Sequence, residues 1–116
     1  MAGNIQVSGI YQAHFWDVNG NMQSLRTLGG LRAYADSIND LGFVVGWSNR
    51  SGRNAVNHAF LWHSGTGMHD LNLIKSPADT SGLELTTASR INNAGQVLAR
   101  GTSKASGSVV VLLSPQ

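Results

Sequence analysis

The sequence predicts an all-β fold of antiparallel, four-stranded, blade-sized units, and three observations carry that prediction. The first is an internal match: Gln12-Ala13-His14-Phe15-Trp16 lies over His58-Ala59-Phe60-Leu61-Trp62, 46 residues on. From each Trp the same ungapped spacing leads to a Met (Met22, Met68) and then to a Leu (Leu25, Leu71). The second is a further match, Ile38-Asn39-Asp40-Leu41-Gly42-Phe43-Val44-Val45 over Ile91-Asn92-Asn93-Ala94-Gly95-Gln96-Val97-Leu98, 53 residues on. Periods of this length belong to repeat architectures, in which one unit cannot bury its apolar face alone. The third is composition. Charged residues make up 12% of the chain, Gly is abundant at 14 residues and Pro scarce at two. Few charges with many Gly, Ser, Thr, Val and Asn favour strands and turns over helices.

Each unit divides into four strands. The first type runs Leu31 to Ile38 and Leu83 to Ile91; in the latter, Leu83, Leu85, Thr87 and Ser89 alternate with Glu84, Thr86, Ala88 and Arg90, a period of two. The second type, Phe43 to Ser48 and Gln96 to Arg100, follows the turns Asn39-Asp40-Leu41-Gly42 and Asn92-Asn93-Ala94-Gly95. Asn or Asp early and Gly last suit a type I turn closed by a left-handed Gly. The third type ends at a Trp: Ile10 to Trp16 and Ala55 to Trp62, with Val109 to Leu113 as a further copy. The fourth, Met22 to Leu25 and Met68 to Leu71, is reached through Val18-Asn19-Gly20-Asn21 and Ser64-Gly65-Thr66-Gly67, and Asn-Gly between apolar runs signals a hairpin. Looser links fall at Asn49 to Asn57 and Ile74 to Gly82. One segment conflicts: Leu25, Leu28, Leu31, Tyr34, Ala35 and Ile38 are spaced as on a helix face, interrupted by Gly29-Gly30.

The start, Ala2 to Gly9, resembles Ala94 to Gly101, so the chain opens on a second-type strand and closes on a third-type one. The expectation is a single all-β domain, 1–116, of about ten strands in propeller-like blades: a partial unit 1–30, a full unit 31–74 and a partial unit 75–116. Strand edges are normally blunted with Lys or Glu, and the chain has two Lys and one Glu. Completion of the partial units by oligomerisation, two- or three-fold, is therefore expected.

With no Cys, disulfides, thiolate catalysis and Cys-based zinc sites are excluded. A net charge of +2 is too small to argue for nucleic acid, and no apolar run approaches a membrane span. The first residues lack the basic start and apolar run of a signal peptide. A soluble cytoplasmic protein, or a mature fragment of an exported one, is expected.

His58-Ala59-Phe60-Leu61-Trp62, followed by Gly67-Met68 and Asp70-Leu71, resembles the bacterial HAF-repeat family, named for its His-Ala-Phe tripeptide. So do Ile91-Asn92-Asn93-Ala94-Gly95-Gln96-Val97, Asp70-Leu71-Asn72-Leu73-Ile74, Ser81-Gly82-Leu83-Glu84-Leu85-Thr86 and Leu112-Leu113-Ser114-Pro115. The first copy departs, with Ala13-His14-Phe15-Trp16, and the last has Val110-Val111-Leu112. Members are usually longer, with many repeats, and are described as extracellular. The resemblance implies propeller-like sheets and an extracellular location, and carries no established activity.

Among residues able to do chemistry, His63, His69 and Asp70 flank one hairpin as weak metal candidates. The first copy has Asp17, Gln23 and Ser24 there, so no ligand set repeats and no metal or cofactor is expected. His58 belongs to the repeat motif; a scaffold role, donating to a loop carbonyl, is expected. Trp16 and Trp62 end equivalent strands and suit a core. Trp47 has no counterpart Trp, and is expected to be the exposed aromatic. Beside Asn49, Arg50 and Arg53 it suits stacking on a sugar ring or gripping a protein. Asn49-Arg50-Ser51 also fits the glycosylation pattern. Basic residues are otherwise too dispersed for a nucleic-acid surface. The six acids are scattered, Glu84 is the sole Glu, and no nucleophile elbow or phosphate loop is present. The expected function is a non-catalytic binding module that contacts a glycan or protein through Trp47 to Asn57. A structural piece of a longer array without a ligand is the second reading, and a small hydrolase the third.

Overall fold

A computed structural model describes residues 2–7, 10–17, 19–50, 57–74, 83–103 and 107–113. Its strands form three antiparallel sheets of three, four and three strands. The first sheet holds β1 (Ala2–Val7), β2 (Ile10–Trp16) and β3 (Met22–Ser24). The middle sheet runs β4 (Gly29–Ile38), β5 (Val44–Arg50), β6 (Asn57–His63) and β7 (Gly67–Asp70), and one helical turn, α1 (Leu71–Ile74), follows. The third sheet holds β8 (Leu83–Ile91), β9 (Val97–Ser103) and β10 (Gly107–Leu113). Within each sheet, strands adjacent in sequence are adjacent in space. The chain is thus all-β and antiparallel, and among the described residues the three sheets show no closure into a barrel. No helix among the described residues is long and apolar enough to cross a membrane.

From Gly29 onward the helix-spaced segment is a strand, and a bulge explains the step from Ala35 to Ile38. In β4, Ala35 faces Gly46 and Ser37 faces Val45, leaving Asp36 unpaired. One extra residue turns a step of two into a step of three, so Ala35 and Ile38 point the same way, into the core shared with the first sheet. In β8 two such shifts, at Leu85/Thr87 and Ala88/Arg90, overturn the expected alternation. The core face is Leu85, Ala88 and Ile91, three residues apart, while Ser89 is exposed. The hydroxyls of the extra residues, Thr86 and Ser89, donate to the carbonyls of Arg100 and Leu98.

The turns follow the sequence reading. Gly42 and Gly95 both sit at φ 84°, and each donates its N–H back to the carbonyl of Asn39 or Asn92. The Asn39 and Asn92 amide oxygens accept backbone N–H groups across their turns. Gly20, at φ 83°, closes the β2–β3 turn in the same way onto Asp17.

One register differs from the expected one by four residues. Ala2 pairs with Phe15, as Val45 pairs with Leu61 and Leu98 with Leu112. Gly3 therefore occupies the place of Gly46, whereas the sequence match put it over Gly95.

Alternation sends the two sides of the middle sheet to different cores. Ala13, Phe15 and Leu25 of the first sheet meet Ala33, Ala35, Val44, Phe60, Trp62 and Met68 of the middle one, with the Phe15 and Trp62 rings 5.2 Å apart. The opposite side of the middle sheet, with Val45, Ala59 and Leu61, meets Leu85, Ala88, Val97, Ala99, Val109, Val111 and Leu113 of the third. Side-chain amides join the layers. Asn4 brackets the Ala35 backbone, accepting its N–H at 2.7 Å and donating to its carbonyl at 2.9 Å. At the turns, Asn39 donates to the Asn92 carbonyl (3.1 Å), and Asn93 exchanges hydrogen bonds with Asp40 (2.8 Å each). Such bonds replace the ladder partners that a sheet edge lacks.

Candidate functional site

The end of the middle sheet where β5 runs out and β6 begins gathers the residues singled out from the sequence. Trp47 lies between Tyr34 on β4 and Ala59 on β6. It is half-buried, where an exposed ring was expected. The cause is Tyr34, which covers one face of the indole with ring centroids 5.9 Å apart and planes 5° from parallel. A cross-strand aromatic pair of this kind contributes about 0.5–1.5 kcal/mol beyond its area. Asn49 faces Asn57 across the same ladder and donates its amide to the Asn57 oxygen at 2.5 Å. Between Trp47 and Asn49 in the chain, the buried Ser48 hydroxyl accepts the Leu28 N–H at 2.8 Å and donates to the Asn49 carbonyl. Arg50 ends β5, its backbone paired with Gly29. Arg53 and the centre of the 49–57 link lie outside the described residues.

The weak metal candidates are not brought together. His63 Nε2 donates to the Leu41 carbonyl (3.2 Å), and its Nδ1 accepts the Gly65 N–H (3.1 Å), while the ring packs on Phe43. His69 is exposed, opposite Leu61. Asp70 pairs with Phe60 and so leaves the opposite side of the sheet. Among the described residues no group of three His, Cys, Asp or Glu side chains is arranged to hold a metal ion.

Asp70 instead meets His58, and here the expected loop carbonyl is replaced by two carboxylates. The His58 ring is held between Asp70 Oδ2, 2.7 Å from Nδ1, and Glu84 Oε1, 2.9 Å from Nε2. The His58 side chain is 7% exposed, that of Asp70 9% and that of Glu84 50%. With the ring protonated on both nitrogens, each carboxylate accepts one N–H; a neutral ring serves only one. Asn72 completes the network. Its amide donates to Asp70 Oδ1 and to the Leu85 carbonyl, both at 2.9 Å, and accepts the Leu85 N–H at 2.6 Å. Its backbone N–H also reaches Asp70 Oδ1, so Asp70 caps the α1 turn. Burial raises the Asp70 pKa, but hydrogen bonds from His58 and from the backbone and side chain of Asn72, with attraction to His58, outweigh it and hold the carboxyl below its ordinary 3.8.

This cluster ties β6, β7, α1 and β8 together across two sheets. A His–Asp pair is also the base-and-orienter half of a hydrolase triad. Here Nε2 engages Glu84, where a triad needs a Ser or Thr hydroxyl. Sequence reasoning missed Glu84 and Asn72 as partners. One signal was present: Gln12 and Ser24 replace both His58 and Asp70 in the first copy, so the pair changes together.

No family model, no curated protein and no solved structure matches the chain.

Proposed function

We propose that the chain is a non-catalytic binding module of propeller-like, HAF-type blades, taking a glycan or protein ligand at the end of the middle sheet. The observation that carries this reading is the Tyr34–Trp47 stack, a half-buried aromatic pair on a rigid strand ladder. Asn49 and the exposed Asn57 stand beside it, two residues along β5 and at the start of β6. Aromatic surface with adjacent amides suits sugar C–H faces and hydroxyls, or a protein hot spot. The buried acid–base groups, His58 and Asp70, are occupied in joining two sheets, which favours binding over hydrolysis. In this reading the chain also assembles with copies of itself.

A glycan array followed by titration of any hit tests it. Trp47→Ala is expected to weaken binding about tenfold, from loss of stacking area. Undiminished binding by Trp47→Ala overturns the reading. A second reading, a structural layer with no ligand of its own, is favoured by Met22, Val110 and Leu112, which are more than half exposed on the outer sheets. An array without hits, together with intact assembly, supports that one.

A further inference from the structure

We propose that the outward face of the third sheet docks on the outward face of the first sheet of a second copy of this chain, head to tail. The proposal rests on reading the three sheets as like units, and on one interface that the molecule already contains twice.

Three residues occupy one place in the three sheets: Phe15, Leu61 and Leu112 each lie on the third-type strand, opposite Ala2, Val45 and Leu98. Phe15 packs into the middle sheet and Leu61 into the third. Leu112 points away from the stack and is 61% exposed. The same holds for Ala13, Ala59 and Val110: the first two are buried between sheets, and Val110 is 58% exposed. Leu98, beside Leu112, is half-buried.

The reverse faces match in the same way. Trp62 pairs with Met68 and both pack against the first sheet. Trp16 pairs with Met22 in that same arrangement. Trp16 is half-buried and Met22 is 56% exposed, on the side of the first sheet that faces away from the middle one. Inside the chain, Phe15 meets Trp62 at 5.2 Å. The corresponding contact between copies is Leu112 and Val110 of one with Trp16 and Met22 of the next. Each copy offers one face of each kind, so the contact is heterologous and repeats until a ring closes or an array extends. A second copy is the occupant argued because it alone brings the complementary face in the required register.

Sedimentation and light scattering test this with exposed positions, whose variants should keep the wild-type circular dichroism. Wild type is expected at multiples of 12.3 kDa. Leu112→Glu and Met22→Glu should each reduce it to the monomer, and Val110→Lys should repeat the Leu112 result. An equimolar mixture of Leu112→Glu and Met22→Glu should give a one-to-one dimer and nothing larger, since one intact face of each kind remains. The chain has no Cys, so mixing Leu112→Cys with Met22→Cys should yield a single intermolecular disulfide. A monomeric wild type overturns the proposal. So does association abolished by Leu112→Glu yet indifferent to Met22→Glu, which means a symmetric pairing of third sheets. Phe15→Ala separates the two levels: if it destabilises the monomer while the mass data fail, like units stand and self-docking falls. The Trp47 titration stands apart from both.

Discussion

Removing the Asp70 carboxylate should cost much of the stability of this protein, and the size follows from its partners. Asp70 accepts three hydrogen bonds, from His58 Nδ1, the Asn72 backbone N–H and the Asn72 amide, and is 8% exposed. Asp70→Ala strands those donors where water does not reach easily, at about 1–3 kcal/mol for each fully unsatisfied group. His58 keeps Glu84 and the Asn72 amide keeps the Leu85 carbonyl, so the expected loss is about 3–5 kcal/mol, that of breaking a buried ion pair. For a domain of this size, stable by about 5–15 kcal/mol, that lowers Tm by about 15 °C. Asp70→Asn should lose only about 1–2 kcal/mol, because the amide still accepts from Asn72 and donates to Nδ1 of a neutral His58. Glu84→Gln, at a half-exposed acid, should lose about 0–1 kcal/mol. The pH dependence has a definite sign. The Asp70 pKa is lowered on folding, so the unfolded chain binds this proton more readily. Its contribution is complete above about pH 5 and is lost as pH falls through the native value. Chemical denaturation of the three variants and wild type, at neutral and acid pH, measures all of this. Asp70→Ala within about 1 kcal/mol of wild type, or Glu84→Gln as costly as Asp70→Ala, would refute the assignment of Asp70 as the network's centre.

Two further outcomes probe the packing. A Cβ at the buried Gly46 would overlap the Tyr34 carbonyl oxygen, a backbone atom that cannot swing aside, so Gly46→Ala should cost about 1–3 kcal/mol; a neutral result means that the β4–β5 approach is looser than described. Asn4→Ala removes both partners of the Ala35 backbone and should cost about 1–3 kcal/mol. Faster hydrogen exchange at the Ala35 amide should accompany it, and unchanged exchange would count against Asn4 as a bond between sheets.

Much of the architecture was legible because it is local. Asn39 with Gly42 and Asn92 with Gly95 define their turns through side-chain bonds and a left-handed Gly within five residues. The strands ending at Trp16 and Trp62 show in the repeat of apolar residues at fixed spacing. Bulges were not legible. The three-residue steps of Ala35 to Ile38 and of Leu85, Ala88 and Ile91 look helical, or out of phase, until the partner strand reveals which residue is left unpaired. The four-residue error at Ala2 has a similar origin, since register belongs to a pair of strands and not to either one.

The candidate site divides along the same line. Sequence alone determined that Trp47 lies on a strand with Asn49 and Arg50 directly after it, that strands of this kind must stack to bury a face, and that Cys chemistry is absent; the structure carries that strand on through Asn49 and Arg50. Tertiary structure decided that Tyr34 shields Trp47 and that His58 lies between Asp70, 12 residues away, and Glu84, 26 away. It also decided which apolar faces turn outward. Turn chemistry and alternation act over a few residues, and so are written in order along the chain. Burial, ion pairing and ring stacking depend on which sheets come to lie together, and only the packed molecule sets that.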